Sequence, residues 1–281
     1  EMIYSRELDE NFETKELLFD SLRKNIKEII NIKRAKIQKS LEKGSSVKCK
    51  VLDVSKIDFS NKDFVKDDNF YYIAVNTTWI LDSHIDLHVD GLWTKSAKER
   101  NRRNYLVDTH IMTMGTTLAK KEDVEILVEN MPFSALGFNY KGNTQVLIYK
   151  IPKDKLSKLA KDWIDEGYSI EASVKMQYVI IDFAMNSILE EDESSKKLYD
   201  EYINKIANKK EFEDEYGEIP YFFIIREAKN IDESSLCLRG SNPVTGEIKN
   251  IEPSKDTQKQ KEAEKSLQLE KQKFITNLLN I

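Results

Sequence analysis

The sequence predicts an α+β fold, and two observations carry that prediction. Six or more segments read as strands, with helical stretches set between them. Turn chemistry at Gly137 and Lys141-Gly142-Asn143 separates two of these strands. The chain has 281 residues, enough for one large domain or two modest ones and a sizeable core. Charged residues make up 33% of it and the net charge is −5. Both signs are therefore interspersed, and no global basic field recruits nucleic acid. Two cysteines, Cys49 and Cys237, give no CxxC pair, which argues for a reducing compartment and against a zinc or disulfide framework. No apolar run has the length of a membrane span, and the first residues lack the layout of a secretion signal. These readings predict a soluble intracellular protein.

Residues 14–43 read as a long charged helix with an apolar stripe of Leu18, Leu22, Ile26, Ile29, Ile30, Ile37 and Leu41. It either packs on the domain or serves as an arm that docks on another subunit. Gly44-Ser45-Ser46 ends it, and residues 47–54 alternate like a strand. A polar loop over 55–69 leads to residues 70–81, aromatic and β-branched enough for a strand buried on both faces. In the stretch DSHIDLHVDGLW over 82–93, His84, Asp86 and His88 alternate and would share one face of an extended segment. That pattern suits zinc or iron. Without a further His or Cys cluster it is a weak signal beside the plainer reading, a polar loop leading into a short Gly91-Leu92-Trp93 packing element. Residues 94–104 form a basic run, read as a solvated loop or helix face. Residues 105–117 follow as a strand-like context for His110.

Two further strands are expected over 124–131 and 144–151. Pro152 then opens a helix whose apolar face is Leu156, Leu159, Ala160, Trp163 and Ile164, with Gly167 as its C-terminal stop. From Ser169 the period becomes two. Ser169, Glu171, Ser173 and Lys175 take one face, and Ile170, Ala172, Val174 and Met176 the other. A small, polar strand face suits the wall of a groove. If His110 lies on a neighbouring strand, it and Ser173 form a general base and a nucleophile; otherwise both are core polar residues. Residues 186–218 read as a charged, solvated helical excursion carrying Leu198, Tyr202 and Ile206. Strands are expected at 221–228 and 230–238, then a loop over 240–246 and a Lys-, Gln- and Glu-rich tail from 252. The divisions that follow are a helical arm at 1–45, a domain at 46–250 interrupted at 186–218, and a mobile or helical tail at 251–281.

Four segments together resemble the phage prohead maturation proteases, serine peptidases whose fold is similar to the herpesvirus assemblins. They are the stretch Ile85–Trp93 that ends in a small residue and an aromatic, and Leu106–His110 followed by Gly115. The others are Glu166-Gly167 with Glu171-Ala172-Ser173-Val174, and Glu233-Ser234-Ser235-Leu236 with the loop Gly240–Pro243. The resemblance covers about residues 70–250. It implies a mainly antiparallel β-barrel with surrounding helices. It also implies Ser173 as nucleophile rather than Ser169, His110 as general base and Glu233 as the acid that orients the imidazole. Asp182 and Asp108 stand as alternative acids. The implied activity is a capsid-maturation endopeptidase that cuts scaffold, a scaffold-like segment of the capsid protein, and itself. It would work inside the procapsid in the host cytoplasm, without cofactor, membrane or specific nucleic acid, and possible self-association is part of the expectation. Lys175-Met176 departs from the family, which commonly has a small Gly there, and the excursion lengthens the path from Ser173 to Glu233. A catalytically inactive capsid assembly or internal virion protein on the same fold is the alternative. A metallohydrolase using His84, Asp86 and His88 is a third reading.

Overall fold

In a computed structural model, residues 2–38, 69–82, 84–168 and 170–238 of the chain are described. The described residues all lie within one compact unit, Glu1–Thr245. The expected strand at 47–54 and the charged tail lie outside the described residues, as does Ser169.

The chain opens on a hairpin, β1 (Ile3–Ser5) with β2 (Glu10–Phe12), followed by helix α1 (Lys15–Ala35). Thr14 caps α1 by accepting from the backbone N–H of Leu17. The helix expected over 14–43 is not seen at that length. Lys36 is already extended, and Ile37–Gln38 form a short strand, β3. Nor does α1 stand off as an arm, because Leu18, Phe19, Leu22 and Ile29 sit in the main core. Truncating a fully buried leucine such as Leu18 or Leu22 to Ala costs about 2–5 kcal/mol.

β4 (Phe70–Thr77) is followed by β5 (Asp86–His88), α2 (Thr94–Arg100), β6 (Tyr105–Asp108) and β7 (Thr117–Ala119). Next come β8 (Glu125–Pro132), β9 (Asn143–Pro152), α3 (Lys158–Asp165) and β10 (Glu171–Met185). The described chain ends with α4 (Glu193–Tyr202), α5 (Lys209–Tyr216) and β11 (Tyr221–Cys237). The polar stretch 82–93 is thus not all loop, since β5 pairs with β11 in parallel. Residues 230–238 do not form a separate strand, for β11 runs through both expected segments. Pro152 ends β9 rather than starting a helix; α3 is capped by the Ser157 hydroxyl, which accepts from the Ala160 N–H. Gly167 takes the left-handed φ of +74° expected after the helix, while Leu159 faces solvent instead of the core.

The strands form sheets of two (β1-β2), six (β3-β10-β11-β6-β7, with β5 also on β11) and three (β4-β9-β8). Pairing is antiparallel except where β5 and β6 meet β11. The fold is therefore mixed α+β, but no closed barrel is found among the described residues. The long pair β10 and β11 is its spine. Alternation sets what each face of a strand buries. Tyr71, Ile73 and Val75 of β4 enter the main core, whereas Tyr72 and Ala74 pack with Met131, Leu136, Val146 and Ile148 on the other side.

β11 splits in the same way. Tyr221, Phe223 and Ile225 face the main core, and Phe222 and Ile224 face a second cluster. That cluster corrects the reading of 186–218 as a solvated excursion. Tyr199, Tyr202, Ile203, Ile206 and Phe212 are buried there against Leu81, Leu87 and Val89. The apolar residues are few but recur on one helical face, so the charged background hides a packing surface.

Candidate active site

Three side chains from distant parts of the sequence meet at one end of the β10-β11 pair. Ser173 lies on β10 directly opposite Ser235 of β11. Glu233 lies two residues before Ser235, beside a break in the ladder. Val174 pairs with Ser234, but Met176 pairs with Asn230, so β11 carries two extra residues there. Asp232, within the bulge, has φ +61°. Its carboxylate lies 3.6 Å from the Lys175 ammonium across the strands.

His110 arrives from β6, which runs parallel to β11 with Tyr105 opposite Glu233 and Asp108 opposite Leu236. It is not on the strand, as the sequence suggested. Thr109 (φ +49°) and His110 (φ +58°) both adopt left-handed conformations, which turn the chain sharply at the strand end. The Thr109 N–H donates to the Leu236 carbonyl at 3.0 Å and the Ile111 N–H to the Asp108 carbonyl at 3.0 Å, anchoring this turn to β11. Hydroxyls of Thr113, Thr116 and Thr117 then knit the loop that follows. Two consecutive non-glycine residues in this region cost conformational energy, a pattern that concentrates at functional sites.

The resulting geometry is a linear relay. His110 Nδ1 lies 3.0 Å from each carboxylate oxygen of Glu233. Its Nε2 lies 2.7 Å from Ser173 Oγ. An ionised carboxylate only accepts hydrogen bonds, so Nδ1 carries the proton and Nε2 offers its lone pair to the Ser173 hydroxyl. The side chains of His110 and Glu233 are each 1% exposed, and Ser173 is 1% exposed as a residue. In so dry a setting the carboxylate acts on the imidazole with little screening. The arrangement suits withdrawal of the hydroxyl proton as the oxygen attacks an electrophile, and stabilisation of the imidazolium that results.

The alternative acids are committed elsewhere. Asp182 pairs with the Arg226 guanidinium, and Asp108 accepts from the Thr109 hydroxyl at 2.6 Å.

His84, Asp86 and His88 do not converge. Among the described residues no three His, Cys, Asp or Glu side chains are placed to hold a metal. Asp86 accepts from the Lys33 ammonium at 2.7 Å and from the Tyr178 hydroxyl at 3.0 Å. His88 sits with Nε2 3.3 Å from that hydroxyl and Nδ1 3.2 Å from Asn76 Nδ2, and Asn76 in turn accepts from the Trp93 indole N–H at 2.9 Å. Burial pushes His88 down to about 4 despite the nearby Asp86. His84, partly buried, is likewise lowered to about 4, chiefly by desolvation. Asp82 moves the other way, because burial and the Asp86 charge both raise it well above the carboxylate range. The HxDxH motif thus belongs to a buried polar network that ties α1, β5 and β10 together.

Ser235, quoted from the sequence within Glu233-Ser234-Ser235-Leu236 but given no role there, is fully buried opposite Ser173. No protein-family profile, curated protein or solved structure matches the chain.

Proposed function

We propose that the protein is a serine endopeptidase of phage capsid maturation. Two independent lines support the reading. One is the resemblance carried by the four sequence segments. The other, on which the proposal chiefly rests, is the single imidazole bonded to Ser173 through one nitrogen and to Glu233 through the other. The three residues chosen from the sequence span 123 positions from His110 to Glu233, so proximity in the chain does not explain their meeting.

In the proposed reaction Ser173 Oγ attacks the scissile carbonyl while His110 Nε2 takes its proton. The imidazolium, held by Glu233, then protonates the departing amine. Water, deprotonated by the same imidazole, frees the acyl group from Ser173. No cofactor is required. The substrates are scaffold protein, a scaffold-like segment of the capsid protein and the chain itself, met inside the procapsid in the host cytoplasm.

The test is intact mass over time for wild type and Ser173→Ala, alone and co-expressed with scaffold or capsid protein. Fragments that appear only with wild type support the peptidase; identical masses in all arms overturn it. The second reading, an inactive assembly protein, is favoured by one observation. Ser173, His110 and Glu233 are all buried, so a substrate reaches the hydroxyl only if the covering chain moves aside.

A further inference from the structure

We infer that Ser235 is a catalytic hydroxyl that donates a hydrogen bond to the oxyanion formed when Ser173 attacks, an inference that rests on the serine-hydrolase reading of the site.

Ser235 is the direct cross-strand partner of Ser173. Side chains so paired lie on one face of the sheet, with Cβ atoms about 4.5–5.5 Å apart. Glu233, at the preceding position of the same parity, shares that face and reaches His110. The Ser235 hydroxyl therefore points to the side where the relay lies. It is 0% exposed, and its oxygen has no hydrogen-bond partner among the described residues. A buried hydroxyl left unpaired costs about 1–3 kcal/mol, and such a cost beside a nucleophile calls for a compensating role. Its neighbour Ser234, on the opposite face, lies 3.4 Å from Asn230 Nδ2 and so has a partner.

The chemistry supplies the missing acceptor. As Ser173 Oγ bonds to a carbonyl carbon, its proton passes to His110 Nε2 and the C=O π pair moves onto oxygen. That oxygen is one bond from the carbon attached to Oγ, within the reach of a hydroxyl on the facing strand. Collapse restores the carbonyl and expels the amine, which takes the proton from the imidazolium. A donor with no partner at rest and a charged partner in the transition state favours the transition state selectively.

The experiment uses the full chain and diisopropyl fluorophosphate, which needs no knowledge of the natural substrate. Ser173 Oγ forms a bond to phosphorus, fluoride leaves, and His110 takes the proton, while charge builds on the phosphoryl oxygen. Phosphorylation of Ser173, read by peptide mass, is expected to slow about 100- to 1000-fold in Ser235→Ala. The melting temperature should stay the same or rise, since the variant removes an unpaired buried group. The pH midpoint of labelling should not move, because the base and its carboxylate are untouched. Ser235→Cys, similar in volume with only a weak S–H donor, should be slowed at least about tenfold, and it decides the matter if the alanine variant fails to fold. Labelling of the variants within threefold of wild type overturns the role of Ser235. Absence of wild-type labelling at Ser173 overturns the serine-hydrolase reading itself, so the two failures are distinct.

Discussion

Replacing Glu233 with Gln is the sharpest probe of the relay. The side chain keeps its size and its place beside β6, so packing is preserved and only the charge and one acceptor are lost. In the native site both carboxylate oxygens lie 3.0 Å from His110 Nδ1 and can only accept, which fixes the proton on Nδ1. A carboxamide can instead donate through its NH2 group. The imidazole then carries its proton on Nε2, 2.7 Å from Ser173 Oγ, where it cannot accept the hydroxyl proton. The variant also loses the negative charge that stabilises the imidazolium in a site whose two partners are each 1% exposed. Loss of the correct tautomer and of that charge together is worth about a 10³–10⁴-fold fall in rate, or roughly 4–5.5 kcal/mol at about 1.36 kcal/mol per decade. The assay is the rate of Ser173 phosphorylation by diisopropyl fluorophosphate across pH 5–9, with Ser173→Ala as the blank. A Glu233→Gln rate within tenfold of wild type at every pH would refute the argument that the carboxylate sets the tautomer.

Two further predictions concern the buried network that the HxDxH motif joins. Burial opposes the Lys33 ammonium, but Asp86, Glu7 and Asp82 outweigh it and its pKa is raised. Lys33→Met strips Asp86, itself 2% exposed, of its cation and should cost about 3–5 kcal/mol in urea unfolding at pH 7. The double variant with Asp86→Asn should recover most of that loss, and equal instability of single and double variants would count against the pairing. Folding lowers His88 from 6.5 to about 4, so below pH 6.5 the unfolded chain binds the proton that the fold excludes. Stability from this group is complete above about pH 6.5 and falls as pH drops towards 4, by up to about 3 kcal/mol. Asp82 acts in the opposite sense, holding a proton in the fold that the unfolded chain releases, and its contribution fades as pH rises. His88→Gln should therefore flatten the acid limb of the stability curve by up to about 1.4 kcal/mol per pH unit, read from urea midpoints between pH 4.5 and 6.5; unchanged slopes would contradict the assignment.

Much of the architecture is local in origin and could be read from the chain. The strands β4, β8, β9 and β10 follow runs of β-branched and aromatic residues, and the left-handed Gly167 marks the end of α3 as its position suggests. Burial of both faces of β4 was written in its unbroken apolar run. The choice of Ser173, His110 and Glu233 came from motif order rather than periodicity, because a lone Ser, His or Glu has no local signature. What the tertiary structure alone decided depends on contacts between distant residues. The bulge at Asp232, the left-handed turn at Thr109-His110 and the parallel register of β6 on β11 together bring Glu233 to the imidazole. No pattern within one segment encodes them. One face of the charged stretch 186–218 joined the core, and His84, Asp86 and His88 do not converge, for the same reason: partners elsewhere in the chain meet Tyr202 and Phe212, while Lys33 and Tyr178 meet Asp86. Sequence periodicity says which side of an element is buried; only the assembled fold says what that side meets.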